Sequence, residues 1–282
     1  MTWRLAHNPL MGGFYDGLVS DRRWTGRTKY DAGWWHKLAA MKKGKRVFFN
    51  GMGDLFHENN NGQDIIDCLQ KIRQCSQHIF ITPTKRPHIA ANILKALCEK
   101  VPNLILLASV ENQEQADKRV PALLRCAPYV KAVGLSAEPL IGPLDISGWV
   151  VNYNPGAYHD IWKKRSDIGW IVCGGETGPG ARPVHPAWVR ALRDQCAEAR
   201  VSFMFKSWGE WSEEGPLNHP IMMSMTDDGK TYMPGETAYP NGPRYGEAIR
   251  ADFPNHNPII VRRIGKSRAG RLLDGREYNE VI

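Results

Sequence analysis

Apolar residues gather in six short runs along this chain, and each run ends in a polar or charged cluster. The runs are Arg46–Asn50, His78–Thr82, Leu104–Val110, Val130–Leu135, Gly169–Cys173 and Val201–Phe205. Their ends read Asn50-Gly-Met-Gly-Asp54, Thr84-Lys-Arg86, Ser109-Val-Glu111, Ser136-Ala-Glu-Pro139, Gly174-Gly-Glu-Thr-Gly178 and Lys206-Ser-Trp208. Between the runs the apolar spacing changes to three and four. Trp34, Trp35, Leu38 and Met41 mark one face, and Ile65, Cys68, Leu69, Ile72 and Cys75 mark a second. Ile89, Ile93, Leu94 and Leu97, then Val120, Leu123, Leu124 and Ala127, then Val189, Leu192 and Cys196 continue the series. That spacing puts such residues on one side of a helix, whereas short unbroken apolar runs suit strands buried on both faces. Pro87 and Pro186 open helices at the position where a missing N–H costs nothing. Pro121 predicts a break in the helix that carries it.

Strand, charged tip and helix in repeated succession predict a parallel sheet with right-handed crossovers. The expected fold class is α/β, a partial or complete (β/α) barrel. A doubly wound sheet is the alternative, because strand order is not written in the sequence. In both, ligands bind at the C-terminal edge of the strands. Residues 1–29 read as a helical remnant and a glycine-punctuated loop. Residues 140–168 read as an insertion holding a short strand at Trp149–Asn152. After Trp211 the chain turns rich in Gly, Pro, Asn and Asp. Residues 1–211 therefore form the barrel-like domain. Residues 212–282 form a long irregular C-terminal appendage, with a late strand at Ile259–Ile264, packed on that domain.

A hydrophobic content of 42% and a charged content of 23% are those of a soluble globular protein. No apolar run approaches the roughly 20 residues of a membrane span, and the first residues lack the apolar core of a secretory signal. A cytoplasmic location is the expectation. The net charge of +8 favours an anionic partner such as nucleic acid or a phosphorylated ligand. The basic clusters at Lys42–Arg46 and Arg262–Arg268 are short and carry no interleaved aromatics. The six cysteines, at 68, 75, 98, 126, 173 and 196, show no zinc-ligand spacing and read as buried thiols of a reducing compartment.

Chemistry gathers at the run ends. Asp54, Glu111, Glu138 and Glu176 follow four different strands, and on a barrel these tips converge. Carboxylates so placed act as general acids or bases, or bind an ammonium or metal ion. The competing reading makes each a cap on the next helix. Lys85, Arg86 and Lys206 suit a phosphate or carboxylate, or a salt-bridge network within the mouth. Gly174 and Gly175 allow close approach of a ligand to backbone, and Glu176 can accept hydrogen bonds from an amine. His57 lies near Asp54 in sequence and can join the same site. The catalytic candidates are thus Asp54, Lys85, Glu111, Glu138 and Lys206, with Arg86 and His57 as substrate contacts. The glycine pattern is neither a dinucleotide fingerprint nor a P-loop, and no serine-hydrolase elbow is present.

Taken together these tips resemble a known family. The segments are Phe49-Asn-Gly-Met-Gly-Asp-Leu-Phe-His57, Thr84-Lys-Arg-Pro87, Ser109-Val-Glu-Asn112, Ser136-Ala-Glu-Pro-Leu-Ile-Gly-Pro143, Gly174-Gly-Glu-Thr-Gly-Pro-Gly-Ala-Arg-Pro183, Phe205-Lys-Ser-Trp-Gly-Glu-Trp211 and Gly270-Arg-Leu-Leu-Asp-Gly-Arg276. The chain is similar to the three-Cys-motif proteins of bacteria and phages, a family of unknown function. The resemblance implies a barrel of the radical S-adenosylmethionine or TIM type. It also implies S-adenosylmethionine and a [4Fe–4S] cluster as cofactors, with Gly174, Gly175 and Glu176 near the methionyl group. The cysteines that hold such a cluster would precede Thr2, so Met1 is expected to be an internal methionine of a longer protein. A three-Cys-motif partner protein is implied as well. The leading functional expectation is a radical enzyme acting on an anionic substrate such as nucleic acid or a nucleotide. A non-catalytic ligand- or partner-binding protein and a divalent-metal hydrolase are the other readings.

Overall fold

A hairpin and a short helix lead into six parallel strands that follow one another in sequence and in space. The computed structural model describes residues 13, 15–21, 23–51, 53–150, 168–215, 219–232 and 258–282. The hairpin is β1 (Val19–Ser20) and β2 (Arg23–Trp24), and helix α1 spans Gly33–Ala40. Then come β3 (Arg46–Phe48), α2 (Gly62–Gln74), β4 (Ile79–Thr84), α3 (Pro87–Leu97), β5 (Val101–Ser109), α4 (Gln113–Leu124), β6 (Val130–Ala137), β7 (Ile168–Gly174), α5 (Pro186–Ala199) and β8 (Ser202–Ser207). The spatial order is β3-β4-β5-β6-β7-β8, and every neighbouring pair is parallel. Winding in one direction with one hand puts all crossover helices on one face. The sheet curls into a half barrel, and the doubly wound alternative falls away.

The two faces of the sheet are packed differently. On the helix side, Leu104, Leu106 and Ala108 of β5 and Val133, Leu135 and Ala137 of β6 meet Ile72, Leu94, Leu123 and Leu192 from α2, α3, α4 and α5. On the concave side a smaller set, Ile81, Ile105, Leu107, Trp170 and Val172, packs with Met204, Val281 and Ile282. The C-terminal tail thus reaches across β8 to the inside of the curl. Phe205 N–H donates to the Tyr278 carbonyl at 3.0 Å, Phe203 N–H to Glu280 Oε2 at 2.9 Å and Trp170 Nε1 to the Glu280 carbonyl at 2.8 Å.

Several local expectations change. Helix α4 runs through Pro121 without a break. Val120 and Leu123 are fully buried on either side of the proline, and that packing holds both halves in one helix. Trp149 and Val150 lie in a turn rather than a strand, and the remainder of that expected strand is outside the described residues. Strand β5 starts at Val101, earlier than Leu104, and a register shift lets Val101 pair with Val130. Five cysteines are buried, as the spacing implied, but Cys98 is exposed in a left-handed turn after α3. The appendage contains a three-stranded antiparallel sheet, β9 (Met222–Met225), β10 (Thr231–Tyr232) and β11 (Ile259–Arg262), and the short helix α6 (Lys266–Ala269). Met225 and Val261 bury into the main core, so this sheet packs on the half barrel. Of residues 1–29, expected to hold a helical remnant and a loop, the first twelve are outside the described residues, and the loop contains the β1–β2 hairpin. Among the described residues no helix is long and apolar enough to cross a membrane.

Candidate functional site at the C-terminal strand edge

Side chains alternate across a strand, and this alternation decides which tip residues enter the curl. Ile105 and Leu107 of β5 face the concave side, so Ser109 and Glu111 continue that face. Val133, Leu135 and Ala137 of β6 face the helices, so Ser136 and Glu138 take the other side. Trp170 and Val172 place Gly174 of β7 inward, and Met204 places Lys206 of β8 inward. Ile79 and Ile81 of β4 do the same for Lys85. Lys85, Glu111, Glu138 and Lys206 therefore lie on one face, with Glu111 and Glu138 two residues beyond the level of Lys85, and they pair across strands. Lys85 Nζ donates to Glu111 Oε1. Lys206 Nζ stands 3.0 Å from Glu138 Oε1. Glu138 Oε1 also lies where a Cβ on Gly174 would come within 3.0 Å.

Asp54 belongs to the turn after β3 and does a different job. It accepts from Thr84 Oγ1 at 2.7 Å, from Lys85 N–H at 2.9 Å, from Phe56 N–H at 3.0 Å and from Arg86 Nη1 at 3.1 Å. Arg86 also grips Glu58 with two nitrogens, and its hydrogen bond lowers the Glu58 carboxyl to about 2. Asp54 therefore ties the β3 turn to the start of α3. His57 stands at the edge of this group: its Nδ1 accepts from Asn59 N–H at 3.1 Å within its own turn and lies 3.8 Å from Glu58 Oε2.

None of the four acids caps a helix with its side chain. The side-chain caps are Asn61 on α2, Asn112 on α4 and His185 on α5. The competing capping reading fails, and the salt-bridge reading of the mouth is the one the geometry gives. Two arginines absent from the sequence-level candidates complete it. Arg119 of α4 donates to Glu111 Oε2 at 2.7 Å and to the Ser109 carbonyl at 2.6 Å. Arg182 clamps Glu176 with Nε at 2.8 Å and Nη2 at 2.9 Å. Burial pushes the Glu111 carboxyl up, but Lys85 and Arg119 outweigh it and hold the group below the ordinary value. Hydrogen bonding to Arg182 likewise lowers Glu176.

The glycines after β7 serve packing more than ligand approach. A Cβ on Gly175 would fall on the Trp208 carbonyl oxygen, and Gly209, at φ +79°, lies against Glu176 backbone in turn. The loops after β7 and β8 thus touch backbone to backbone. Glu210 Oε1 accepts from Gly178 N–H at 3.0 Å, and Arg263 Nη2 donates to the Gly178 carbonyl at 2.7 Å. The appendage holds the Gly-rich loop in place.

With this geometry established, comparison with known proteins assigns a family. A family model described as a protein of unknown function, DUF5131, matches residues 7–282. The chain belongs to that family. No curated protein and no solved structure matches it.

Proposed function

We propose that this half barrel is the substrate-binding body of a radical S-adenosylmethionine type enzyme of bacterial or phage origin. In this reading its C-terminal rim takes an anionic substrate, a nucleotide or nucleic acid. The observation that carries the proposal is the group Lys85, Glu111, Glu138 and Lys206, on the inward face at the ends of four strands. Lys85 and Lys206 are 54% and 56% exposed on flexible stems. Each lysine is the open half of its pair, so a phosphate can compete for it, and Glu111 keeps Arg119 when Lys85 leaves. Arg86, Arg119 and Arg182 supply further cations around the same mouth, and the +8 charge attracts an anion toward it. The substrate class and the three-Cys-motif kinship rest on charge and on the resemblance of the motifs.

The cluster that the resemblance implies does not fit the residues present. Cys68 and Cys75 are buried along α2, and Cys126, Cys173 and Cys196 are buried on three other parts of the fold; burial raises all five thiols. A cluster needs accessible thiolates close together. Cys98 alone is exposed, so no step runs through a cluster held by this chain. Nor do the acids form a divalent-ion site. Glu111, Glu138 and Glu176 each face a cation, and among the described residues no group of three metal-type side chains assembles. A divalent-metal hydrolase therefore has no support.

One observation favours the second reading, a non-catalytic binding protein. Every rim acid is engaged by a lysine or arginine, so none stands ready as a base. Iron content and S-adenosylmethionine cleavage, measured beside nucleotide binding in an anaerobic preparation expressed with the reading frame upstream of Met1, separate the two. Iron, cleavage and binding together support the enzyme. Binding alone supports the second reading, and no binding removes both.

A further inference from the structure

Below the charged rim lie two hydroxyls without a partner among the described residues. Ser109 and Ser136 are direct partners in the β5–β6 register. Parallel strands stand about 4.8 Å apart, so the two hydroxyls are neighbours on one face. That face is the concave one, with Leu107 and Val172 adjoining. The serines are only 9% and 7% exposed. Among the described residues neither side chain makes a hydrogen bond, and neither oxygen is one of the sealed, unpartnered polar atoms. Both therefore open on the mouth from a recess. Nearly buried hydroxyls in native proteins ordinarily have partners, so a pair left free and facing an opening points to a ligand.

The surroundings select the ligand's chemistry. Glu111 and Glu138 lie two residues beyond the serines on the same face, and like charge opposes an anion seated directly between them. A neutral group with both N–H donors and carbonyl-type acceptors fits better. The hydroxyls donate and accept, the carboxylates accept, and Lys85 and Lys206 donate. A ligand's anionic end then lies outward, among the exposed cations. We infer that Ser109 and Ser136 read the base edge of a nucleotide whose phosphate is held at the rim. This deepens the anionic-substrate proposal and rests on it for the phosphate, though not for the base.

Titration calorimetry with the four nucleoside monophosphates, the free nucleosides and ribose 5-phosphate tests it on the intact chain. At least one nucleotide should bind more tightly than ribose 5-phosphate. Ser109→Ala and Ser136→Ala should each weaken that nucleotide about five- to tenfold, as expected for one neutral hydrogen bond, and leave ribose 5-phosphate unchanged. If ribose 5-phosphate binds as well as every nucleotide, the serine subsite is wrong and the anion site stands. A nucleoside that binds while ribose 5-phosphate does not leaves the subsite standing and removes the anion site. Equal losses for nucleotide and ribose 5-phosphate in the serine variants overturn the assignment, as does no binding of any probe.

Discussion

The two ends of the concave face are built on opposite principles. Toward the N-terminal end Trp170 and Ile105 are closed over by Val281 and Ile282 from the tail. At the C-terminal end small residues, Ser109, Ser136 and Gly174, lie beneath exchangeable ion pairs. One end is dry and held by burial; the other is open and held by charges that a ligand can redistribute. A half barrel lacks the strands that would fill its own interior, so the tail supplies a floor where no ligand is needed. The difference implies that stability resides at the floor and recognition at the rim, and the two should separate under mutation.

The largest effect should come from the floor. Trp170→Ala is expected to lower unfolding free energy by about 3–5 kcal/mol in urea titrations, because it removes a buried ring and its bond to Glu280. A cost below about 1 kcal/mol would mean that the tail does not close this end. Next comes Asp54, which ties the β3 turn to the start of α3. Asp54→Ala leaves Thr84, the Lys85 N–H and Arg86 short of a partner, and about 2–3 kcal/mol of stability should be lost. The rim lysines should behave in the opposite way. Lys85→Met and Lys206→Met should change stability by no more than about 0.5 kcal/mol, yet each should weaken nucleotide binding about tenfold or more. Equal effects on stability and binding would erase the contrast between the ends.

Acid gives the smallest effect. Glu111 and Glu176 are held below the ordinary glutamate value of 4.5 in the folded state. Unfolding returns them to that value, so their stabilisation is complete above it and is lost as pH falls through the lower folded values. The urea midpoint should be level down to about pH 5 and then fall, less steeply in Glu111→Gln than in the parent chain. A midpoint that rises on acidification in this range contradicts the pairing.

Much of this was legible in the sequence for a physical reason: strands buried on both faces leave unbroken apolar runs. All six strands and their tips could be read that way, and so could the apolar faces of α2 to α5; in α1 only Trp35 is buried, while Trp34 and Met41 of the expected face are exposed. The inward direction of Glu111 and Glu138 follows from a period of two once the strand is known. The arginine partners were harder to see. Arg119 lies in α4, and helical side chains lean toward the N-terminus, which brings its guanidinium back to the strand end. Arg182 returns to Glu176 through the turn at Gly178, whose φ of +106° reverses the chain. The floor was not legible, since Trp170 and Glu280 meet across 110 residues and no local pattern records that contact. The glycines at 174 and 175 were read as space for a ligand, whereas Glu138 and the Trp208 carbonyl occupy that space.

The central claim is that recognition occurs at the rim of this half barrel, and amide hydrogen exchange with and without a saturating nucleoside monophosphate addresses it directly. Protection should appear in segments 84–87, 109–112, 136–141 and 206–209, with no change in α2, α3 or the tail at 278–282. Protection confined to the helices or the appendage, with the strand ends unchanged, would contradict the account.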